Sequence, residues 1–212
     1  MDAFKAQSQL LKRFRNPIIF DCGANTGQTT TEYLRRFPRA KIYAFEPNPE
    51  VFTTASAAHG GNPRVVLTQQ AVGAEATTLE LHLGNNHGTS SFLDRNPFLT
   101  DAQRGGSWYF DRTLPVAVCS IDTFCNEHGI DHVHMLKMDL QGYELAALRG
   151  ASKMLRQKRI SVIYAEVLHL PIYEAAPLHD DITNYLGTYG YSLHSYYQAH
   201  PSWGDAIYTA GR

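Results

Sequence analysis

At 212 residues with a formal net charge of -1, the chain is long enough for one domain with a sizeable core and lacks the basic excess of a phosphate-tracking protein. The cluster Lys153, Arg156, Lys158 and Arg159 reads as a solvated helix end, not a polyanion site. No apolar run reaches membrane-spanning length, and the opening MDAFKAQSQLLKRF lacks the apolar core of a signal peptide. The expectation is a soluble, cytoplasmic protein, residues 1–212 forming a single domain without nucleic-acid or membrane partners.

Residues 1–16 read as a polar lead-in helix with Phe4, Leu10, Leu11 and Phe14 as docking positions. Ile18-Ile19-Phe20 is an uninterrupted apolar run, the mark of a strand buried on both faces. Asp21 closes it, and Gly23, Asn25 and Gly27 follow at alternate positions before a helical pattern carrying Thr30, Leu34 and Phe37. A strand, a glycine-containing turn and a helix start form a cradle for a nucleoside-type cofactor.

Lys41–Phe45 is the second strand, closed by Glu46-Pro47-Asn48, with Asn48 as N-cap and Pro49 at the first helical position. That helix stops at Gly60-Gly61, and Arg64–Leu67 starts a third strand leading into Gln70-Ala71-Val72-Gly73. Strand and helix alternate, so parallel pairing is expected. Thr77–Leu83 alternates and reads as a half-exposed strand. Residues 84–112 are too long and irregular for an ordinary connection and read as an insert or a substrate-side lid. Its Phe92, Trp108, Tyr109 and Phe110 should find shelter from solvent.

Leu114–Val118 is a short strand, and Ser120 caps the helix that follows. Val133–Leu140 is a strand ending in Asp139, Ile160–Val167 is another carrying Glu166, and Ile182 to Tyr189 marks a helix. The last two strands, Tyr191–Tyr197 and Asp205–Ala210, have too short a connection for a parallel crossover and should form an antiparallel hairpin. The scattered Cys22, Cys119 and Cys125 have no metal-ligand spacing and read as structural.

The dinucleotide fingerprint G-x-G-x-x-G is broken at its third glycine, because threonines follow Gly27. Asp21 would repel a pyrophosphate but favour a cationic sulfur, as in S-adenosylmethionine. Glu46, after the second strand, is placed to accept hydrogen bonds from ribose hydroxyls.

D21-C-G-A-N-T-G27, Y43-A-F-E-P-N48 and L136-K-M-D-L-Q-G-Y-E-L-A-A-L-R-G150 resemble the FkbM family of class I methyltransferases. So do Ala165-Glu166-Val167 with Leu170 to Glu174, and Gly204 to Tyr208. One departure stands out: Gln141 occupies a position where the family usually has Glu.

The resemblance implies an α/β, Rossmann-like fold with a seven-stranded, mostly parallel sheet and a C-terminal antiparallel hairpin. It also implies S-adenosylmethionine-dependent O-methylation of a hydroxyl on a small-molecule or glycan acceptor. Asp21, Gly23, Asn25, Gly27, Glu46, Pro47, Ala71 and Leu140 are the candidate cofactor residues. Asp139 is the candidate for orienting or deprotonating the acceptor, and His169 is a second candidate base. Glu144 reads as a ligand for loop amides. No metal is expected at Asp139 and Glu166. A catalytically silent cofactor-binding module and a nicotinamide oxidoreductase are the alternatives.

Overall fold

Apolar runs bounded by turns become the strands of the main sheet. The computed structural model describes residues 3–211; residues 1, 2 and 212, including the first two of the expected lead-in, lie outside the described part. In chain order the strands are β1 (Ile18–Cys22), β2 (Lys41–Phe45), β3 (Val65–Thr68), β4 (Ala71–Val72) and β5 (Thr77–Gly84). They continue as β6 (Phe110–Cys119), β7 (Val133–Met138), β8 (Ile160–Leu168), β9 (Tyr191–His200) and β10 (Trp203–Ala210). The helices are α1 (Ala3–Leu11), α2 (Gln28–Arg36), α3 (Pro49–His59), α4 (Ile121–Glu127), α5 (Glu144–Arg149), α6 (Ser152–Arg156) and α7 (His179–Thr188).

Seven strands form one sheet in the order β3-β2-β1-β7-β8-β10-β9. Neighbours from β3 to β8 are parallel, whereas β10 runs antiparallel to both β8 and β9. The seven strands and the terminal hairpin are those expected from the sequence. The winding reverses between β1 and β7, which opens a crevice at the carboxyl ends of these strands, where open α/β sheets bind ligands.

Each face of this sheet has its own core. Phe20, Leu136 and Ile163 pack on one side with Phe45, Phe124, Leu148 and Leu186. Their chain neighbours Ile19, Met135 and Val162 pack on the other with Leu11, Tyr33, Phe37 and Ile207. Successive strand residues point to opposite faces, so strands that feed two cores must be apolar throughout. The lead-in helix α1 docks on the second core through Ala6 and Leu11, with Phe4, Leu10 and Phe14 packed beside them.

Local signals set the element ends. The Asn48 side chain accepts from the Glu50 amide at 3.0 Å and starts α3 with Pro49 at its first turn. Ser120 Oγ accepts from the Thr123 amide at 3.1 Å and starts α4. All three cysteines are buried and free, and burial raises each thiol above its usual range.

A second, three-stranded sheet has the order β4-β6-β5. Leu81 and Leu83 of β5 are buried against Val116 and Val118 of β6, as the alternation predicts. The strand expected at Leu114–Val118 is longer, beginning at Phe110, because it pairs along the whole of β5. It absorbs the last three residues of the 84–112 insert. The rest of the insert packs on the main body. Trp108 is buried with Leu168, Ile172 and Tyr173, and Phe110 and Leu93 lie against them. Shelter does not extend to Tyr109, which is 56% exposed. Its backbone is instead tied to Asn85, whose amide donates to the Tyr109 carbonyl at 3.0 Å.

Candidate active site

The opening turn is held by backbone contacts that leave no room for side chains. The amides of Gly23 and Ala24 both donate to the Phe45 carbonyl, at 3.0 and 2.9 Å. Gly23 has φ +77°, and a Cβ there would lie 2.0 Å from the Asp139 carbonyl oxygen. Glycine is therefore needed for conformation and for the approach of β1 to β7. Gly27 has φ +90°, caps the start of α2, and has the His59 ring within 2.6 Å of where a Cβ would stand.

Glu46 is locked to this turn. Its Oε2 accepts from the Asn25 amide at 3.0 Å and its Oε1 from the Asn48 amide at 2.9 Å. Burial raises its pKa, while these two amides and the Lys137 charge pull it down. Each carboxylate oxygen can accept more than one hydrogen bond, so the preset side chain retains capacity for ligand hydroxyls.

Asp21 behaves differently from expectation. It is fully buried, accepts from Thr30 Oγ1 at 2.7 Å, and lies 3.1 Å from Lys137 Nζ. The register of β1 on β7 pairs these two residues directly. Lys137 also donates to the Gly23 carbonyl at 2.7 Å. Burial works to lower the Lys137 pKa, but Asp21 and Asp139 outweigh it and hold the ammonium charged. Asp21 is thus neutralised inside the protein and is absent from the cleft lining. The direct attraction between Asp21 and a sulfonium, expected from the sequence, is corrected to an indirect role: Asp21 orients the lysine that holds the glycine turn.

Asp139, just beyond β7, is half-exposed in the cleft, with 46% of its side chain accessible. Gln141 joins it to the next strand. Gln141 Nε2 donates to Asp139 Oδ1 at 2.8 Å and to Glu166 Oε2 at 3.1 Å, while its Oε1 accepts from Tyr173 Oη at 2.7 Å. Gln141 has φ +52°, a left-handed conformation uncommon for a residue with a side chain. An amide can donate to two carboxyl groups and still accept from a phenol; a carboxylate in its place would have no donor to offer either of them. Glu166 is pushed up by burial and by the charges of Asp139, Glu144 and Asp205.

Glu144, at the start of α5, is buried, and its Oε1 accepts from the Leu140 amide at 2.6 Å. It therefore serves a loop amide, as expected. Its pKa is raised to about 7, chiefly by burial.

The cleft encloses about 670 Å³, open solvent at its mouth included. That lies within the range of small-molecule sites, roughly 300–1,000 Å³. Gly23, Asn25, Glu46, Pro47, Ala71, Asp139 and Leu140 all line it. Gly27 does not, and shapes the turn from behind. His169 is exposed and displaced from the cleft: its Nε2 is 2.5 Å from Tyr196 Oη, and its ring packs edge-on to His179. It sits past the end of β8, where its amide donates to the Ser202 carbonyl, so its expected role as a base at Asp139 is withdrawn.

Sequence reasoning missed the wall opposite the turn, made by Leu81, Phe92 and Tyr143, with Phe92 and Tyr143 rings 4.8 Å apart. The signal for Phe92 was a large aromatic beside Ser90 and Ser91, which also line the cleft. It missed Lys137 as well, whose signal was one charge inside the apolar run of β7.

The methyltransferase FkbM domain matches residues 21–193. The 2-O-methyltransferase NoeI of Sinorhizobium fredii is 26% identical over 163 residues, covering 75% of this chain and 66% of that protein. The hexuronic acid methyltransferase AglP of Haloferax volcanii is 23% identical over 148 residues, covering 69% of this chain and 54% of that protein. The chain thus spans about half to two thirds of the length of these relatives. In fold it is similar to an rRNA methylase of Streptococcus thermophilus, with a TM-score of 0.54 at 10% identity over 100% of this chain and 98% of that one.

Proposed function

The chain belongs to the FkbM methyltransferase family, and we propose that it is an S-adenosylmethionine-dependent O-methyltransferase acting on a hydroxyl of a sugar or natural product. The observation that carries this reading is the cleft at the β1–β7 crevice, where Glu46, the Gly23 turn and Asp139 share one lining. The cradle fits a nucleoside cofactor. Gly23 leaves open the space that a side chain would fill, Glu46 is preset to accept from ribose hydroxyls, and Ala71, Leu81, Leu140 and Phe92 supply apolar walls.

When bound, S-adenosylmethionine supplies an electrophilic methyl group on a cationic sulfur. The protein's part is alignment, exclusion of water and handling of one proton. Asp139 orients the acceptor hydroxyl and takes its proton. Gln141 fixes that carboxylate by an amide donor, which keeps it aimed without adding charge. Lys137 holds the turn through the Gly23 carbonyl and lies 4.0 Å from Asp139.

The sugar-directed names of NoeI and AglP support a hydroxyl acceptor. Calorimetry with S-adenosylhomocysteine and NADH tests the cofactor: binding of the first alone is expected, and binding of NADH alone would overturn the reading. Asp139→Asn should slow methyl transfer at least 100-fold with little change in cofactor affinity. Equal losses in both would make Asp139 a binding residue instead.

A further inference from the structure

A second cavity, enclosing about 600 Å³ with the open solvent at its mouth, adjoins the first and shares Gly88 and Gln141 with it. None of its walls comes from the opening turn. Trp108, Tyr173 and Trp203 line it together with Arg104, Gln141 and Glu166. Trp108 is buried, with its ring 5.4 Å from that of Tyr173 and its Nε1 donating to the Arg104 carbonyl at 3.2 Å. Trp203 stacks on His200 at 3.9 Å. Gly105, at φ +76°, lies so close that a Cβ would come within 2.2 Å of the Trp203 ring. The aromatic walls are thus fixed in place before any ligand arrives.

The polar groups are as specific. Arg104 is 8% exposed, and its Nε is buried with no hydrogen-bond partner among the described residues. An unsatisfied buried donor is costly, and a ligand oxygen would satisfy it. Glu166 lines the cavity, and Gln141 connects it to Asp139.

We propose that this second cavity is the acceptor subsite and that it takes a neutral pyranose ring. The proposal rests on the methyltransferase reading above and adds where the acceptor sits and what selects it. A pyranose has an apolar C–H face suited to aromatic walls and a rim of hydroxyls that both donate and accept. That rim matches a carboxylate, an amide and an orphan guanidinium donor. The positive charge of Arg104 is already met by Asp101 at 2.5 Å. No other cation is among the residues lining this cavity, so a sugar bearing a carboxylate would be desolvated without a counter-charge and is disfavoured. A hydroxyl of the ring that reaches the Gln141 boundary lies on the path to Asp139.

The chain contains two tryptophans, and both line this cavity, so intrinsic fluorescence reports on it directly. The full chain is titrated with methyl glucopyranoside, methyl galactopyranoside, methyl fucopyranoside and methyl glucuronide, with and without S-adenosylhomocysteine, by tryptophan emission and calorimetry. At least one neutral glycoside should bind and shift the emission, with the glucuronide at least tenfold weaker than the glucoside. Trp203→Ala and, independently, Glu166→Gln should weaken that binding at least tenfold and leave S-adenosylhomocysteine affinity within about twofold. If S-adenosylhomocysteine binds but no neutral glycoside does, or glycoside binding leaves emission unchanged, the subsite is overturned while the cofactor reading stands. Tighter binding of the glucuronide overturns the neutral-sugar assignment. Failure of S-adenosylhomocysteine alone to bind counts against the methyltransferase reading, and the glycoside titration without it still judges the cavity.

Discussion

The two adjoining cavities are built in different ways. The first is made largely of short segments at the ends of adjacent parallel strands: the Gly23 turn after β1, Glu46-Pro47 after β2, and Asp139 to Gln141 after β7. The second draws on the insert, the segment after β8 and the start of β10, which the chain brings together from residues 86 to 203. The first therefore owes its shape to backbone geometry and local hydrogen bonds. The second owes its shape to packing among distant side chains, such as Trp108 on Tyr173 and Gly105 against Trp203. A shared cofactor can be read by a conserved-geometry turn, whereas an acceptor is read by whatever the longer segments assemble.

The largest expected difference between the two regions is in stability. Lys137→Met leaves Asp21 buried without its cation, and breaking a buried pair in this way costs about 3–5 kcal/mol. Chemical denaturation should show that loss, with cofactor binding weakened because the Gly23 carbonyl also loses its donor. A cost below about 1 kcal/mol would mean that Asp21 and Lys137 are not the brace beneath the first cavity.

A pH scan probes Glu144, which holds the amide of Leu140, a residue of the first cavity's lining. Glu144 has its pKa raised from 4.5 to about 7, mainly by burial. Below about pH 4.5 it is protonated in both folded and unfolded chains. Between about pH 4.5 and 7 the unfolded chain loses this proton first, so folding stability falls as pH rises and levels off above about 7. A shift of this size corresponds to on the order of 3 kcal/mol. Asp205, raised to about 6 chiefly by burial, acts in the same direction. Urea midpoints should fall across this window, and Glu144→Gln should flatten the decline; an unchanged profile would contradict the burial argument.

Glu46→Ala removes a preset acceptor from the first cavity alone. S-adenosylhomocysteine affinity should drop roughly 10- to 100-fold, the scale of two lost hydrogen bonds to a charged group. Glycoside-induced tryptophan emission should persist. The smallest effect is expected from His169→Ala: a change in turnover of less than about twofold, since the ring contacts Tyr196 and His179 outside both linings. A 100-fold loss would restore it as a catalytic residue.

What could be seen in the chain follows the same division. Alternating strands and helices, the reversed terminal hairpin and most of the first cavity's lining were legible because each depends on a few consecutive residues: a strand end, a glycine, a capping Asn. Asp21 was misassigned because its partner, Lys137, lies 116 positions away and is met only through β1–β7 register. His169 was overvalued for a related reason. Proximity to Glu166 in sequence gave no information about which side of the loop its ring would take. The bridging of Asp139 and Glu166 by Gln141 depends on a left-handed backbone that residue identity alone does not announce. Trp108 and Trp203 are separated by most of the chain, and only the folded insert brings them to one cavity.

If the first cavity holds the cofactor and the second the acceptor, the reacting sulfur has to lie where both linings share Gln141. A crystal structure of the full chain with S-adenosylhomocysteine tests it directly. The ribose hydroxyls should lie on Glu46, with the sulfur beside Asp139 and Gln141 and open toward Trp203. A ligand elsewhere, or one whose sulfur faces away from the Gln141 boundary, would contradict the account.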